Sequence, residues 1–308
     1  MAMMANLTHA PAFVGLAEGF FAKELGPDLT IKTTLFNAGP SIVEAVLAGE
    51  VDLAYIGPGP ALNGYFRSKG EGFKALTGVT SGGAALVVAP GVSIVNASDL
   101  EGKKLATPQI GNTQDIALRS WLSDMGLPTK EQGGKVSVVS VENPMQLPLF
   151  LRGEIDGVWT IEPWVSQLVL RGNGKILFEE SSLWPQQHYL TVLLVASQPF
   201  LKEHPKWVQS WVRGHVQTVR WIRSHADEAR EVTHSEIKRL SGLDLDSDVF
   251  SAGWNRLEFT FDPLRDSFRE MARRSVRVGY LKGSVEEADG IWDLKFLDQA
   301  LKEIPGET

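Results

Sequence analysis

The start of the chain alternates between segments with helical hydrophobic spacing and segments with strand-like spacing. The spacing is helical over residues 11–25, strand-like over 29–36, helical again over 41–47 and strand-like over 51–56. Glycine and proline pairs separate these segments and mark the ends of the helices. Strands that are separated by helices of about ten residues predict a parallel sheet with crossover helices.

An internal repeat becomes visible when the sequence is shifted by 104 positions against itself. Leu47–Asp52 (Leu-Ala-Gly-Glu-Val-Asp) then aligns with Leu151–Asp156 (Leu-Arg-Gly-Glu-Ile-Asp), and Tyr55 aligns with Trp159. Each copy predicts a proline turn, a helix, a Gly-Glu-x-Asp turn and a strand. Chance similarity between two common helix–strand junctions is the alternative, but the matching context of the two copies favours two similar α/β units.

The predicted fold class is therefore α/β with two lobes, each a central sheet flanked by helices. Two apolar segments, 84–89 and 190–196, are candidates for a hinge of two crossing strands. The predicted domains are residues 1–87 with 194–308 for the first lobe, and 88–193 for a second lobe inserted into it. The chain after Lys202 is predicted to be mainly helical, and its apolar stripe between residues 207 and 222 is interpreted as core.

The composition excludes several classes of protein. The chain has 308 residues, 43% of them hydrophobic and 22% charged, which is enough for a large core. Its formal net charge of −7 argues against a general nucleic-acid binder, because phosphate neutralisation needs clustered Lys and Arg. The absence of cysteine excludes disulfide scaffolds, zinc–thiolate sites, iron–sulfur clusters and cysteine nucleophiles. No segment approaches the roughly 20 apolar residues of a membrane span.

Common catalytic and metal-binding motifs are also absent from the sequence. It contains no G-x-S-x-G, H-E-x-x-H or Walker motif. Residues 57–62, Gly-Pro-Gly-Pro-Ala-Leu, begin like a dinucleotide fingerprint, but Leu62 replaces the third glycine and the prolines remove N–H groups. His9 and His188 have no second ligand at metal spacing. We therefore predict no enzymatic activity, no metal site and no cofactor.

A ligand site is expected in loops from both lobes. In open parallel sheets, ligands bind beyond the carboxyl ends of the strands, where helix N-termini present free N–H groups. The loops at these positions are rich in Gly, Pro, Asn, Thr and Ser and carry few charges. The candidate ligand-binding residues are Asn6, Thr8, His9, Asn37, Gly39, Ser41, Gly57, Pro58, Ser81, Gly111, Asn112, Thr113, Glu142, Glu162 and Trp164.

Some of these residues have a second interpretation. Asn112 is placed to cap the helix that follows it, with or without a ligand contact. Glu142 and Glu162 are candidates to bind a cationic or hydrogen-donating ligand group; the alternatives are solvent-facing loop charges or helix N-terminal carboxylates favoured by the helix dipole. Trp164, in a loop, is a candidate apolar wall, whereas Tyr55 and Trp159 lie within predicted strands, so packing is expected for at least one of them.

Seven short motifs occur in a characteristic order: Asn6–Pro11, Glu18–Phe21, Gly49–Asp52, Gly102–Ala106, Gly111–Thr113, Gly153–Asp156 and Glu162–Trp164. As an ordered set covering roughly residues 6–225, they resemble the substrate-binding proteins of ABC importers for sulfonates, taurine and nitrate. The resemblance implies a two-lobed periplasmic-binding fold of type II. It also implies ligand contacts from the loops matching Asn6–His9, Asn37–Ser41, Gly57–Pro58 and Gly111–Thr113.

The same resemblance implies a partner set and a location. The expected partners are a small-molecule ligand, a membrane permease and an ATPase subunit, with the binding protein acting as a monomer that closes on its ligand. The expected location is the periplasm. Only five residues precede the segment matching Asn6 and they contain no signal sequence, so a cytoplasmic location is the alternative.

The candidate carboxylates restrict the charge that the ligand can carry. An unpaired carboxylate beside an anion is unfavourable, which weighs against a plain sulfonate next to Glu142 and Glu162. An amine-bearing sulfonate such as taurine, or a neutral nitrogenous compound, reconciles these charges. Two other functions remain open on this fold: an enzyme like the thiamine pyrimidine synthase, whose cysteine-rich motif is missing here, and an effector-sensing domain of a regulator, for which no helix-turn-helix precedes residue 6.

Overall fold

The computed structural model describes residues 1–304, which form two β-sheets covered by helices. The strands in this range are β1 (Ala2–Met4), β2 (Thr34–Phe36), β3 (Leu53–Ile56), β4 (Phe73–Gly82), β5 (Ala84–Val88), β6 (Lys104–Thr107), β7 (Ser137–Ser140), β8 (Gly157–Ile161), β9 (Lys175–Glu179), β10 (Leu190–Ser197) and β11 (Leu257–Phe259).

The α-helices alternate with these strands in the first two thirds of the chain and follow one another in the last third. In the described range they are α1 (Ala10–Ala17), α2 (Phe20–Leu25), α3 (Gly39–Leu47), α4 (Pro58–Arg67), α5 (Thr113–Asp124), α6 (Asn143–Leu151), α7 (Trp164–Leu170), α8 (Gln198–Glu203), α9 (Pro205–Ser224), α10 (Ala226–Ser241), α11 (Ser247–Trp254), α12 (Arg265–Arg277), α13 (Val285–Ala288) and α14 (Lys295–Glu303).

Apart from β11, the strands of the first sheet have the same order and directions as those of the second. The first has the order β11-β4-β10-β3-β1-β2 and the second has the order β7-β6-β8-β5-β9. β1 is parallel to β2 and β3 in the first sheet, just as β6 is parallel to β7 and β8 in the second. The internal repeat is confirmed, since α3 and β3 begin at residues 39 and 53 while α6 and β8 begin at 143 and 157. Each copy therefore builds the centre of one sheet.

Each sheet contains one antiparallel strand that directly follows a crossing of the chain from the other sheet. β5 follows β4 but pairs antiparallel with β8 and β9, and β10 follows β9 but pairs antiparallel with β3 and β4. The chain thus changes sheets at Gly82–Gly83, which both have positive φ (+83° and +80°), and again before Leu190. The structure places the two crossings just before the apolar strands rather than within them.

The part built on the first sheet, together with the C-terminal helices, is called the first lobe here, and the part built on the second sheet is called the second lobe. The predicted boundaries at residues 88 and 193 fall at the end of β5 and inside β10. We propose 83–189 as the span of the second lobe, because all of β5 belongs to the second sheet and all of β10 belongs to the first. Residues 305–308 of the predicted first lobe lie outside the described residues.

Apolar residues cover both faces of each sheet. On one face of the first sheet, Phe13 and Phe21 pack with Trp211 and Val212 of α9, and on the other Ile42 packs in a cluster with the C-terminal helices. The stripe between residues 207 and 222 is core, as predicted, with Trp211 only 2% exposed. Tyr55 and Trp159 are also fully buried and their polar atoms are bonded, Tyr55 to Trp211 and Trp159 to Glu180.

Two local predictions differ from the structure. The helix predicted over residues 11–25 is divided at Gly19, whose φ of +72° interrupts the helical backbone between α1 and α2. The strand predicted over 29–36 is limited to β2 (Thr34–Phe36), which pairs with β1. β1 has only three residues, so the parallel pairing that would extend β2 is short.

Candidate ligand-binding site

A cavity of about 30 Å³ lies between the lobes, at the carboxyl ends of the parallel strands. We call it the inner chamber. Its walls carry no Lys, Arg, Asp or Glu side chain; they are formed by Met4, Asn6, His9, Asn37, Ala38, Gly39, Gly57, Pro60, Pro108, Asn112, Thr113, Gln114, Asn143, Ile161, Thr191 and Val192. The inner chamber is therefore uncharged, and polar and apolar residues both line it.

Four helices begin at the inner chamber, two from each lobe. They are α3 and α4 from the first lobe and α5 and α6 from the second, and each contributes a residue of its cap or first turn to the walls. The first N–H groups of a helix have no partner within the helix, and the helix dipole adds partial positive charge there. Prolines at residues 40, 58, 60 and 144 reduce the number of donors. The remaining donors still favour an oxyanion without any cationic side chain.

His9 is the titratable side chain on the chamber wall. It is fully buried, and burial lowers the pKa of His9 to about 3. The backbone N–H of Met4 donates to its Nδ1 at 3.4 Å, so the single proton of the neutral ring is assigned to Nε2. Nε2 has no hydrogen-bond partner among residues 1–304. A ligand oxygen in the chamber would satisfy this donor.

Three asparagines surround the outer end of the inner chamber, and each is oriented by a protein partner. Asn6 accepts a hydrogen bond from the indole N–H of Trp164 (2.9 Å), and Asn37 donates to Glu142 (3.3 Å). Asn143 accepts from Gln146 at 3.0 Å, which leaves the Nδ2 group of Asn143 without an acceptor among the described residues. We call Asn6, Asn37 and Asn143 the asparagine collar.

Hydrogen bonds join the lobes around the chamber. The backbone N–H of Gly59 donates to Thr113 Oγ1 at 3.2 Å, and Asn63 donates to the carbonyl of Gly111 at 3.2 Å. On the flank formed by α5 and α12, Tyr280 donates to Asp115 at 2.7 Å. These contacts join the two lobes on both sides of the chamber.

Comparison with known proteins places the chain in a family. Residues 1–236 match the model of the NMT1-like family. The chain belongs to the NMT1-like family. It is 27% identical over 235 residues to the taurine-binding periplasmic protein of Escherichia coli K12, covering 76% of this chain and 70% of that protein. The named relative is a binding protein, not an enzyme, in agreement with the prediction from the sequence.

Solved structures show the same fold. The alkanesulfonate-binding protein SsuA of Xanthomonas axonopodis pv. citri, bound to MOPS, aligns with a TM-score of 0.75 at 17% identity over 94% of this chain and 96% of that one. The periplasmic nitrate-binding protein NrtA of Synechocystis PCC 6803 aligns with a TM-score of 0.78 at 15% identity over 99% and 88%. The two-lobed periplasmic-binding fold predicted from the sequence is confirmed.

Seven of the candidate ligand-binding residues lie on the wall of the inner chamber in this NMT1-like protein. They are Asn6, His9, Asn37, Gly39, Gly57, Asn112 and Thr113. Asn112 also has the capping role considered for it, since its side chain accepts from the N–H of Asp115 at 2.9 Å. The capping bond occupies Oδ1, so Asn112 can offer a ligand only its Nδ2 group.

Five other candidates lie off the wall. Thr8, Pro58 and Ser81 are buried behind it, Ser41 is exposed on the outer face of α3, and Gly111 bonds to Asn63 at the edge between the lobes. Wall residues that were not among the candidates include Met4 of β1 and Thr191 and Val192 of β10. They belong to regular strands, where no loop motif distinguishes a residue that borders a cavity.

The two candidate carboxylates lie in different environments. Glu162 does not line the inner chamber: it is fully buried, bonded to Ser166, and paired with Arg256 at 2.8 Å. The expectation of an unpaired carboxylate beside the ligand is thus wrong for Glu162. Glu142 is exposed at the collar, where it accepts from Asn37. Trp164 is 5% exposed and lies just outside the collar.

Within residues 1–304, no helix has the length and apolar character needed to cross a membrane. The same residues contain no group of three His, Asp or Glu side chains arranged to hold a metal ion.

Proposed function

We propose that this NMT1-like protein is the solute-binding component of an ABC importer, which closes on a small ligand in the periplasm and delivers it to a permease driven by an ATPase subunit. The observation that carries the proposal is the meeting of four helix N-termini, two from each lobe, at one uncharged chamber. A ligand held by both lobes stabilises the closed arrangement, which a membrane partner can distinguish from the open one. The relationship to the taurine-binding periplasmic protein of Escherichia coli supports the same role.

The proposed ligand is a small organic molecule with an oxyanionic group, with an aminosulfonate such as taurine as the first candidate. Helix N-termini and the Nε2–H of His9 supply donors for sulfonate oxygens. The pairing of Glu162 with Arg256 removes one carboxylate that had opposed an anion. Glu142 at the collar is the acceptor available for an ammonium group. A neutral nitrogenous compound remains the second candidate, because it too needs no charged partner in the chamber.

Titration calorimetry with taurine, ethanesulfonate, nitrate and urea tests the ligand class. We expect taurine to bind most tightly and to raise the melting temperature, since a ligand specific for the folded state adds about 2.7 kcal/mol at 100 times its Kd. Ethanesulfonate differs from taurine only by the amine, so it isolates the contribution of Glu142. Tighter binding of urea than of either sulfonate would overturn the oxyanion assignment.

Small-angle scattering and a reconstituted importer test closure and delivery. The radius of gyration is expected to be smaller with ligand than without it, and the liganded protein is expected to stimulate ATP hydrolysis by permease and ATPase subunits in liposomes. Light scattering is expected to give the mass of a monomer. Binding without compaction would contradict closure, and compaction without stimulated hydrolysis would contradict delivery.

A further inference from the structure

The loop between β6 and α5 supplies part of the inner chamber from the second lobe. Pro108 begins this loop, Asn112 and Thr113 end it, and all three lie on the chamber wall together with Gln114 in the first turn of α5. Residues 108–112 form bends and turns rather than helix or strand. The shape of this part of the wall therefore depends on contacts made from outside regular secondary structure.

The carboxylate of Asp115 holds the loop from behind. Asp115 is fully buried and does not lie on the chamber wall. Its Oδ2 accepts from the N–H of Gly111 at 2.9 Å, and its Oδ1 accepts from the hydroxyl of Thr107 at 3.3 Å and from Nε of Arg119 at 2.9 Å. Thr107 ends β6 and Gly111 lies near the end of the loop. The carboxylate thus ties the two ends of the loop together.

A fourth donor to this carboxylate comes from the other lobe. Tyr280, which follows α12 of the first lobe, donates its hydroxyl proton to Oδ2 of Asp115 at 2.7 Å, the oxygen that also accepts from Gly111. Burial, together with the contact to Asp115, raises the pKa of Tyr280 above its ordinary value, so the hydroxyl keeps its proton and acts as the donor. Hydrogen bonds to a carboxylate are shorter and stronger than those between neutral groups.

The backbone holds Tyr280 in position for this contact. The N–H of Tyr280 donates to the carbonyl of Ser275 at 2.9 Å across Gly279, whose φ of +78° is typical of a Schellman motif at a helix end. Arg277 of the same helix pairs with Asp124 of α5. Because α12 belongs to the first lobe and α5 to the second, the hydroxyl reaches Asp115 only when these two helices are packed together.

We propose that Tyr280 is a positioning residue of the ligand site: acting through Asp115, it fixes the loop of residues 108–113 when the two lobes meet. The proposal rests on the proposed function, because the loop contacts a ligand only if the ligand occupies the inner chamber. Tyr280 does not line the chamber, and it lies beyond the 1–236 segment that matches the family model. Ligand affinity therefore depends on the C-terminal part of this chain.

Tyr280→Phe tests the proposal, because it keeps the ring and removes only the hydroxyl. Calorimetry on the full chain is expected to show taurine binding weakened by about ten-fold, since a hydrogen bond to a carboxylate is lost. Hydrogen exchange followed by NMR with saturating taurine is expected to show the N–H of Gly111 exchanging about ten-fold faster than in the wild type. A hydroxyl that only stabilised the fold would not change the exchange of Gly111 selectively.

Tyr55→Phe is the matched control. It removes a hydroxyl that is bonded to Trp211 in the core of the first lobe and does not line the chamber. We expect a lower melting temperature with unchanged taurine affinity. In an Asp115→Asn background, Tyr280→Phe is expected to weaken taurine binding by less than about two-fold, because residues that act through one another are not additive. If Asp115→Asn does not fold, the exchange of Gly111 in Tyr280→Phe alone decides.

Unchanged taurine affinity or unchanged Gly111 exchange in Tyr280→Phe would overturn the positioning role while leaving the proposed function in place. The same follows if Tyr280→Phe weakens binding equally with and without Asp115→Asn, since Tyr280 would then act by another route. If the wild type binds none of taurine, ethanesulfonate, nitrate and urea, the proposed function fails, and the positioning proposal fails with it.

Discussion

The guanidinium of Arg256 lies 2.8 Å from a carboxylate oxygen of Glu162, and this ion pair joins the two lobes beside Gly83, where the chain first crosses between the sheets. Glu162 belongs to the second lobe and is fully buried, whereas Arg256 precedes β11 of the first lobe. Arg256 also pairs with Glu179 at the end of β9. The pair is thus a contact between the lobes, made outside the ligand cavity.

Arg256→Ala is expected to weaken ligand binding at least about ten-fold, although Arg256 does not line the inner chamber. Breaking a buried pair by removing one partner typically costs roughly 3–5 kcal/mol, and here that cost falls on the closed arrangement. Calorimetry with taurine and scattering check the affinity and the compaction. Arg152→Ala is the control, because its pair with Glu154 is exposed and such pairs contribute about 0–1 kcal/mol. Unchanged affinity in Arg256→Ala would show that the ion pair does not stabilise closure.

Glu162 is expected to make the free energy of unfolding depend on pH. Burial raises the pKa of Glu162 from 4.5 to about 7, although Arg256 and the bonds from Ser166 act in the opposite direction. The folded state then binds more protons than the unfolded state between these values, so this contribution to the free energy of unfolding decreases as pH rises from about 4.5 to 7. Denaturation by urea at pH 5, 6, 7 and 8 measures it. In Glu162→Gln the decrease is expected to be smaller, and an identical pH profile in the two proteins would refute the assignment.

The arrangement of the fold could be predicted from the sequence because its signals are local. The Gly-Glu-x-Asp turns contain Gly49 and Gly153, whose φ angles of +76° and +69° require glycine, and they recur at the spacing that generates two similar sheets. The pairing of Glu162 with Arg256 was not predictable in this way. The two residues are far apart in the sequence, and Arg256 lies beyond the segment that carries the family resemblance. Nor did the sequence indicate that Met4 and Val192, which lie in regular strands, border the inner chamber.

Gly59→Ala is expected to hold the lobes apart. A Cβ atom at Gly59 would lie 2.9 Å from Ile116 Cδ1 and 3.0 Å from the backbone of Thr113, all in the second lobe. Gly59 lies within α4, where alanine is otherwise favourable, so the cost of roughly 1–3 kcal/mol falls on closure rather than on the first lobe. We expect taurine affinity to decrease by about ten-fold and ligand-induced compaction to be lost, with the melting temperature of the unliganded protein nearly unchanged.

The control for Gly59→Ala is Arg67→Ala at the other end of α4. Arg67 is exposed and pairs with Glu44 of the same lobe, so this variant changes the helix without affecting the lobe contact. If Arg67→Ala and Gly59→Ala reduce affinity equally, the effect arises from α4 itself and not from contact between the lobes.

His9 provides the most direct test of how the inner chamber recognises its ligand. Burial lowers the pKa of His9 from 6.5 to about 3, so the ring stays neutral from pH 5 to 8 and presents Nε2–H to the chamber. Nitrogen chemical shifts from NMR are expected to show this tautomer throughout that range. The same shift in pKa makes the folded state bind fewer protons, so the contribution of His9 to stability is lost as pH falls from about 6.5 to 3.

His9→Phe keeps a ring in the cavity wall but removes the donor. A hydrogen bond to a charged group contributes roughly 1.5–3 kcal/mol, so taurine affinity is expected to fall by at least about ten-fold, to a similar extent at pH 5 and pH 8. His188→Phe is the control, because His188 is exposed and its neighbour Glu258 lies outside the chamber. A ring that titrates near pH 6.5, or wild-type affinity in His9→Phe, would mean that Nε2 does not donate to the ligand and that the helix N-termini bind the oxyanion alone.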